Sequence, residues 1–185
     1  MSEEKKDNPI YSKHIVEMLT IANEYCLFIE KIETYKKSDV VNYMHKILPM
    51  MYLKGALLPG VNVEDPLANE KFINEIQWER IFRDVKHKMG DDDEFWIIRN
   101  TGLNKHEPQP ASIGDNLADI YQDMKDFLLL YQKSSVYAKQ NAVNDLQKLF
   151  RNHWGERVLN VSTAMHSLNF DTSRNPFDSE NTLDL

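Results

Sequence analysis

The sequence is short of cysteine, glycine and proline, and these shortages exclude several kinds of chain. Cys26 is the single cysteine, so no intrachain disulfide can form. Six glycines and seven prolines among 185 residues, with hydrophobic residues at 42% and evenly spread, argue against a globally disordered protein. The length suits one domain with a sizeable core, whereas a second full domain would be cramped.

Two further absences narrow the class of protein. Basic residues are not in excess: the net charge is -7 and the isoelectric point is near 5.4, so we expect no binding to nucleic acid. No apolar run approaches the ~20 residues that cross a bilayer, and the first residues lack the apolar segment of a signal peptide. We therefore predict a soluble cytoplasmic protein that binds neither nucleic acid nor membrane.

The sequence is rich in helical periodicity. Apolar residues recur at steps of three and four in one stripe over residues 15–32, which includes Cys26, and in another over residues 40–52. The stripe predicts a buried, inert thiol at Cys26. Pro49 falls inside the second stripe and predicts a kink or break there, because proline removes a backbone donor and clashes with the preceding turn.

Later segments follow the same pattern. Asn74 and Gln77 fit a capping box that starts a third helix, with an apolar face beginning at Ile76. A last stripe starts near Ser135 and continues in phase past Gly155, which favours one long helix with a soft point at that glycine. These segments predict an all-α fold, a single-domain bundle of about five helices over residues 1–170.

Two segments lack this periodicity. Residues 91–111 predict an irregular connection, either a solvated loop pinned by Phe95 and Trp96 or a short strand over residues 95–98. Residues 171–185 are rich in aspartate, serine, asparagine and threonine, and we expect a flexible acidic C-terminal tail.

The clearest helix is predicted at residues 112–131, with Ser112 as its N-cap and Asp115 at the capping-box position, and it carries the candidate site. On a wheel at about 100° per residue its apolar residues form one side. Four aspartates form the other: Asp115, Asp119, Asp123 and Asp126. This pattern predicts a solvated acidic face. Asp119 and Asp123 are unusual, because like charges one turn apart cost about 0.2–0.5 kcal/mol and Lys125 is the only base in the segment.

Two other arrangements of Asp119 and Asp123 remain open. Lysine or arginine from a neighbouring helix would neutralise them, for example Arg80, Arg83 or Arg151. Alternatively, carboxylates one turn apart hold Mg²⁺ or Mn²⁺ through oxygen ligands, with Glu75 or Glu79 assisting. Residues 116–120 resemble half of the acidic pattern of all-α phosphohydrolases, although Asn116 stands where an acid is expected.

Several segments together resemble a bacterial family of uncharacterised helical proteins, a domain of unknown function. The matching motifs occur in order along the chain: Leu57-Leu58-Pro59, Glu75-x-Gln77-Trp78-Glu79, Asn116-Leu117-Ala118-Asp119-Ile120-Tyr121-Gln122-Asp123, and Trp154-Gly155. The resemblance implies an all-α single domain and carries over no activity.

These observations support two hypotheses of function. The first is a non-catalytic module, without a cofactor, that binds a protein or a small molecule through Trp96 and the acidic residues Asp115, Asp119, Asp123 and Asp126. It follows from the lack of any complete catalytic motif in the sequence. The second is a divalent-metal-dependent hydrolase of a nucleotide or phosphate ester, with Asp119, Asp123, Glu75 and Glu79 around Mg²⁺ or Mn²⁺.

Overall fold

The computed structural model describes residues 8–100 and 106–170, and the expected tail lies outside them. The regular elements, in chain order, are α1 (Lys13–Ile29), α2 (Lys37–Ala56), α3 (Glu75–Met89), β1 (Glu94–Asn100), β2 (His106–Ser112), α4 (Ile113–Tyr131), α5 (Val136–Leu149) and α6 (Gly155–Phe170). A π-helical turn, Phe150–Trp154, joins α5 to α6. The predicted all-α bundle of about five helices is confirmed, with a small antiparallel sheet added to it.

Helix α4 is the centre of the bundle. It packs against α1, α3, α5 and α6, and thirteen of its 19 residues are buried. A helix surrounded on several sides keeps little solvated surface, so the prediction of a solvated acidic face is wrong for most of that face. The apolar side is buried as predicted, but much of the acidic side is buried too, under α3, the π-helical turn and α6.

Helix α2 continues through Pro49, so the predicted break is absent. Proline removes a single N–H from the ladder, and the neighbouring side chains of Leu48 and Met51 are fully buried, which holds the flanking turns in place. Cys26 is buried in the core as predicted, and burial raises the pKa of its thiol. No helix among the described residues has both the length and the apolar character to span a bilayer.

Helix α3 starts at the predicted capping box. Asn74 Oδ1 accepts the N–H of Gln77 at 3.0 Å, and Gln77 Oε1 accepts the N–H of Asn74 at 3.1 Å. The assignment of Ile76 to the apolar face was wrong, since its side chain is 78% exposed. Ile76 lies about 180° around the helix from the buried Val85, because nine steps of ~100° separate them.

The soft point predicted at Gly155 is the end of the π-helical turn. A Cβ on Gly155 would lie 2.2 Å from the carbonyl oxygen of Phe150, a distance that no side chain tolerates. The wider turn brings this carbonyl close to the next backbone turn, so position 155 accommodates only glycine without a shift. π-helical turns of this kind are frequent at functional sites.

The connection between α3 and α4 is a hairpin and not an irregular loop. Strands β1 and β2 pair antiparallel, with Phe95 opposite Ala111 and Ile97 opposite Gln109. The aromatic and β-branched residues of β1 favour a strand. Two prolines in β2 concealed the second strand, because proline is accepted in a sheet only on an edge. Trp96 does not pin this segment to the core, since 66% of its surface is exposed.

Candidate functional site

The carboxylate of Asp119 is held by residues from two neighbouring helices. Trp78 of α3 donates its indole N–H to Asp119 Oδ1 at 2.7 Å, and Arg157 of α6 places Nη2 2.5 Å from Oδ2. Desolvation by burial would raise the pKa of Asp119, but the hydrogen bond from Trp78 and the positive charges of Arg157 and His153 outweigh it, so the pKa is lowered. Asp119 is therefore neutralised inside the chain.

Asp123, one turn further along α4, pairs with His153 of the π-helical turn. His153 Nδ1 lies 2.6 Å from Asp123 Oδ2, and its Nε2 lies 3.6 Å from Asp119 Oδ2. The neighbouring carboxylates of Asp119 and Asp123 raise the pKa of His153 to about 9. In the neutral ring, Nε2 accepts from Arg157 Nε at 3.2 Å, so the imidazole has partners in both protonation states.

Asp126 has a backbone role. One of its carboxylate oxygens accepts the N–H groups of Phe72 and Ile73 at 2.8 and 3.0 Å, and Lys71 lies 3.7 Å from the other oxygen. Asp126 is buried, with 4% of its surface exposed to solvent. Asp126 thus attaches the connection between α2 and α3 to the central helix, and it satisfies two backbone donors of that connection.

Arginine neutralises the acids, but not one of the three arginines predicted. Arg157 forms ion pairs with Asp119 and, at 4.0 Å, with Asp115. Among the described residues, Arg80, Arg83 and Arg151 form no ion pair with α4. A sequence signal for the true partners existed. His153 and Arg157 are one helical turn apart, the same spacing as Asp119 and Asp123, so two packed helices bring the pairs together.

The residues predicted as metal ligands do not converge. Glu75 and Glu79 are exposed on α3 and form no hydrogen bond or ion pair with Asp119 or Asp123. Within residues 8–100 and 106–170, no group of three histidine, cysteine, aspartate or glutamate side chains is arranged to hold a metal ion. The oxygen atoms of Asp119 and Asp123 face Trp78, His153 and Arg157 instead.

Asp115 differs from the other three aspartates because it opens onto a cleft. The cleft has a volume of about 640 Å³ and lies between the end of α3, the hairpin and the start of α4. Its lining includes Phe82, Lys86, Asp91, Glu94 and Asp115. Desolvation by burial and the charge of Asp119 raise the pKa of Asp115, so its carboxylate is short of compensating positive charge.

Asp93 builds the floor of this cleft and the start of α4. Its carboxylate accepts the hydroxyl of Ser112 and the N–H of Gly114, both at 2.7 Å, while Ser112 Oγ accepts the N–H of Asp115 at 3.0 Å. Gly114 packs closely on α3, since an added Cβ would lie 3.1 Å from Phe82 O. The predicted cap at Ser112 is confirmed, and the acid that completes it comes from residue 93.

Trp96, the remaining predicted site residue, lies on the other side of the hairpin. Its side chain borders a groove of about 260 Å³ between β1 and α6. The predicted site is therefore divided: Asp115 and Trp96 are accessible from solvent, on two sides of one hairpin, and Asp119, Asp123 and Asp126 are committed to internal partners.

Comparison with known proteins gives a family and a fold. A crystal structure of protein BF1032 from Bacteroides fragilis, a structural genomics target, superposes with a TM-score of 0.78 at 28% sequence identity, covering 88% of this chain and 96% of that one. No curated protein matches the chain. The family model for the domain of unknown function DUF5063 matches residues 9–171. The chain belongs to this family.

Proposed function

We propose that the protein is a non-catalytic binding module and that the cleft beside Asp115 is its ligand site. The proposal rests on one observation: Asp91, Glu94 and Asp115 border a cleft, and Lys86 is the one basic side chain that the described residues contribute to its lining. The Lys86 ammonium lies over the ring of Phe82, 5.4 Å from its centroid, so it is already associated with the cleft wall.

The chemistry of the cleft favours a cation carried on an apolar body. Its carboxylates attract positive charge, and Phe82 and Pro110 supply apolar surface in the same lining. Asp115 has a raised pKa because it is partly desolvated beside Asp119, and a bound cation would relieve that repulsion. We infer that the ligand is an amine or guanidinium compound, or such a group on a partner protein.

Agmatine, a guanidinium on an apolar chain, is a suitable probe. We expect it to raise the melting temperature and to bind with an affinity at least about tenfold lower in Asp115→Asn, since a charge-assisted hydrogen bond is lost. Glu24→Gln, a carboxylate-to-amide change on α1, is the matched control and should bind as the wild type does. Equal binding by all three proteins, or no binding to the wild type, would overturn the proposal.

A cytoplasmic, bacterial setting is part of this proposal. The single thiol, Cys26, is buried and needs no oxidising compartment, and the related crystal structure is from Bacteroides fragilis. A metal-dependent hydrolase remains the alternative hypothesis from the sequence. The contacts between the described residues do not favour it, because Glu75 and Glu79 are exposed and form no hydrogen bond or ion pair with Asp119 or Asp123.

A further inference from the structure

The two edges of the hairpin are not equivalent. In the ladder, Trp96 lies opposite Pro110 and Ile98 lies opposite Pro108. Proline has no N–H, so these pairs cannot be the ones that exchange two hydrogen bonds. The exchanging pairs are the alternate ones, such as Ile97 with Gln109. The N–H and C=O groups of Trp96 and Ile98 therefore point away from β2.

This register gives the sheet one blocked edge and one open edge. On the outer edge of β2, the prolines at 108 and 110 occupy the positions where outward N–H groups would lie, and such prolines prevent strand addition. On the outer edge of β1, Trp96 and Ile98 keep their outward-pointing N–H groups. Among the described residues the sheet has two strands, and none of the backbone bonds found outside the regular elements involves Trp96 or Ile98.

The open edge borders the groove between β1 and α6. Ala164 and Leu168 of α6 give it an apolar wall, and Trp96 and Ile98 are 66% and 73% exposed beside it. Successive side chains of an extended chain laid along β1 would point to opposite faces of the sheet. One set would lie over α6, and the other would lie beside Trp96 and Ile98, because directly opposite residues in an antiparallel pair share a face. Exposed tryptophan and isoleucine at an open strand edge are otherwise an aggregation hazard.

The charge of the groove identifies the kind of segment that fits. Asp92 and Glu94 line it, and the described residues place no lysine, arginine or histidine in the lining. Lys37 Nζ forms an ion pair with Asp92 Oδ2 at 2.5 Å, so the negative charge that attracts a basic partner is chiefly that of Glu94, in a chain whose net charge is -7. A second copy of the chain would bring its own Glu94 and the same net charge to the groove. A segment that carries lysine or arginine, with apolar residues at alternate positions, is complementary to both the negative charge and the apolar wall of the groove.

We propose that the open edge of β1 binds an extended, basic and apolar segment of a partner protein by strand addition. The groove and the cleft beside Asp115 share Glu94 in their linings. The rest of the cleft is formed by α3, β2 and the start of α4, whereas the groove is formed by β1 and α6, so strand addition along β1 does not depend on a ligand in the cleft.

The probe is a short synthetic peptide in which valine and threonine alternate between terminal lysines. We expect it to bind the full chain and to slow amide hydrogen exchange at Trp96 and Ile98. Ile98→Pro removes the outward N–H without removing a ladder bond to β2, and it should weaken binding at least about tenfold. Ile98→Val, which keeps that N–H, is the matched control and should bind within about twofold of the wild type.

Three results would overturn this proposal. The first is unchanged exchange at Trp96 and Ile98 at millimolar peptide. The second is equal binding of a peptide with glutamate in place of lysine. The third is self-association in the ultracentrifuge that Ile98→Pro abolishes, which would make a second copy the occupant. Should Ile98→Pro fail to fold, Glu94→Lys serves as the second variant and should reverse the preference between the two peptides. Asp115→Asn should leave peptide binding unchanged.

Discussion

The middle and the start of helix α4 use the same residue type in opposite ways. In the middle, Asp119, Asp123 and Asp126 are buried or nearly so, and their partners come from α3, the π-helical turn, α6 and the backbone at residues 72–73. At the start, Asp115 borders an open cleft and its nearest cation, Arg157, is 4.0 Å away. The acidic residues of one helix therefore form an internal structural network in its middle and a solvent-accessible surface at its start.

The largest effect should come from removing a buried acceptor. Asp126→Ala leaves the N–H groups of Phe72 and Ile73 without their acceptor, and we expect a loss of about 2–4 kcal/mol in the free energy of unfolding. Urea denaturation measures it. Asp115→Ala is the matched comparison, and it should change stability by no more than about 0.5 kcal/mol. The pKa of Asp115 is raised in the folded chain, which means that its charged carboxylate destabilises the fold at neutral pH. Any change in the free energy of unfolding of Asp115→Ala should therefore be a small gain. Equal losses in both variants would remove the distinction between the two regions.

The π-helical turn should come next, because it carries His153 to Asp123. Gly155→Ala pushes a Cβ against Phe150 O, and we expect about 1–3 kcal/mol of destabilisation from the forced shift. Gly60→Ala is the control, since nothing lies within 4 Å of its added Cβ and its effect should stay within about 0.5 kcal/mol. If Gly155→Ala were as stable as the control, the π-helical turn would accommodate the added Cβ with a backbone shift of little energetic cost.

The pH dependence of stability tests the charge on His153. Its pKa is about 9 in the folded chain against a reference value of 6.5, so the imidazolium contributes fully below about pH 6.5 and its contribution is lost as the pH rises through about 9. Between pH 7 and 10 the wild type should lose about 1–2 kcal/mol more than His153→Gln, a range reduced for solvent screening of a partly exposed group. Parallel profiles for the two proteins would mean that the ring is neutral and accepts from Arg157.

The smallest expected effect concerns divalent metal. Because Asp119 and Asp123 are occupied by Trp78, His153 and Arg157, we expect millimolar Mg²⁺ or Mn²⁺ to leave the melting temperature unchanged. The measurement is a thermal melt of the wild type and of Asp119→Asn with and without the ion. A metal-dependent rise that the variant lacks would contradict this and would support the hydrolase hypothesis.

Local patterns in the sequence predicted the helices well and the site only in part. The capping box at Asn74, the cap at Ser112 and the soft point at Gly155 are each set by neighbours in the chain, and each was found. The hairpin was missed as a pair, because its second strand is recognisable only by pairing with the first. His153 and Arg157 were missed as partners for the same reason: about thirty residues separate them from Asp119 and Asp123.

The sequence by itself determined the all-α class, the position of the central helix and the presence of four aspartates along one side of it. Hydrophobic periodicity and capping motifs involve residues that are close in the sequence, so they can be recognised from the sequence alone. Only the tertiary structure decided which aspartates are buried, because burial depends on what packs over a helix face. It also decided that Asp115 and Trp96 remain accessible, on opposite sides of a hairpin whose prolines block one edge and leave the other open.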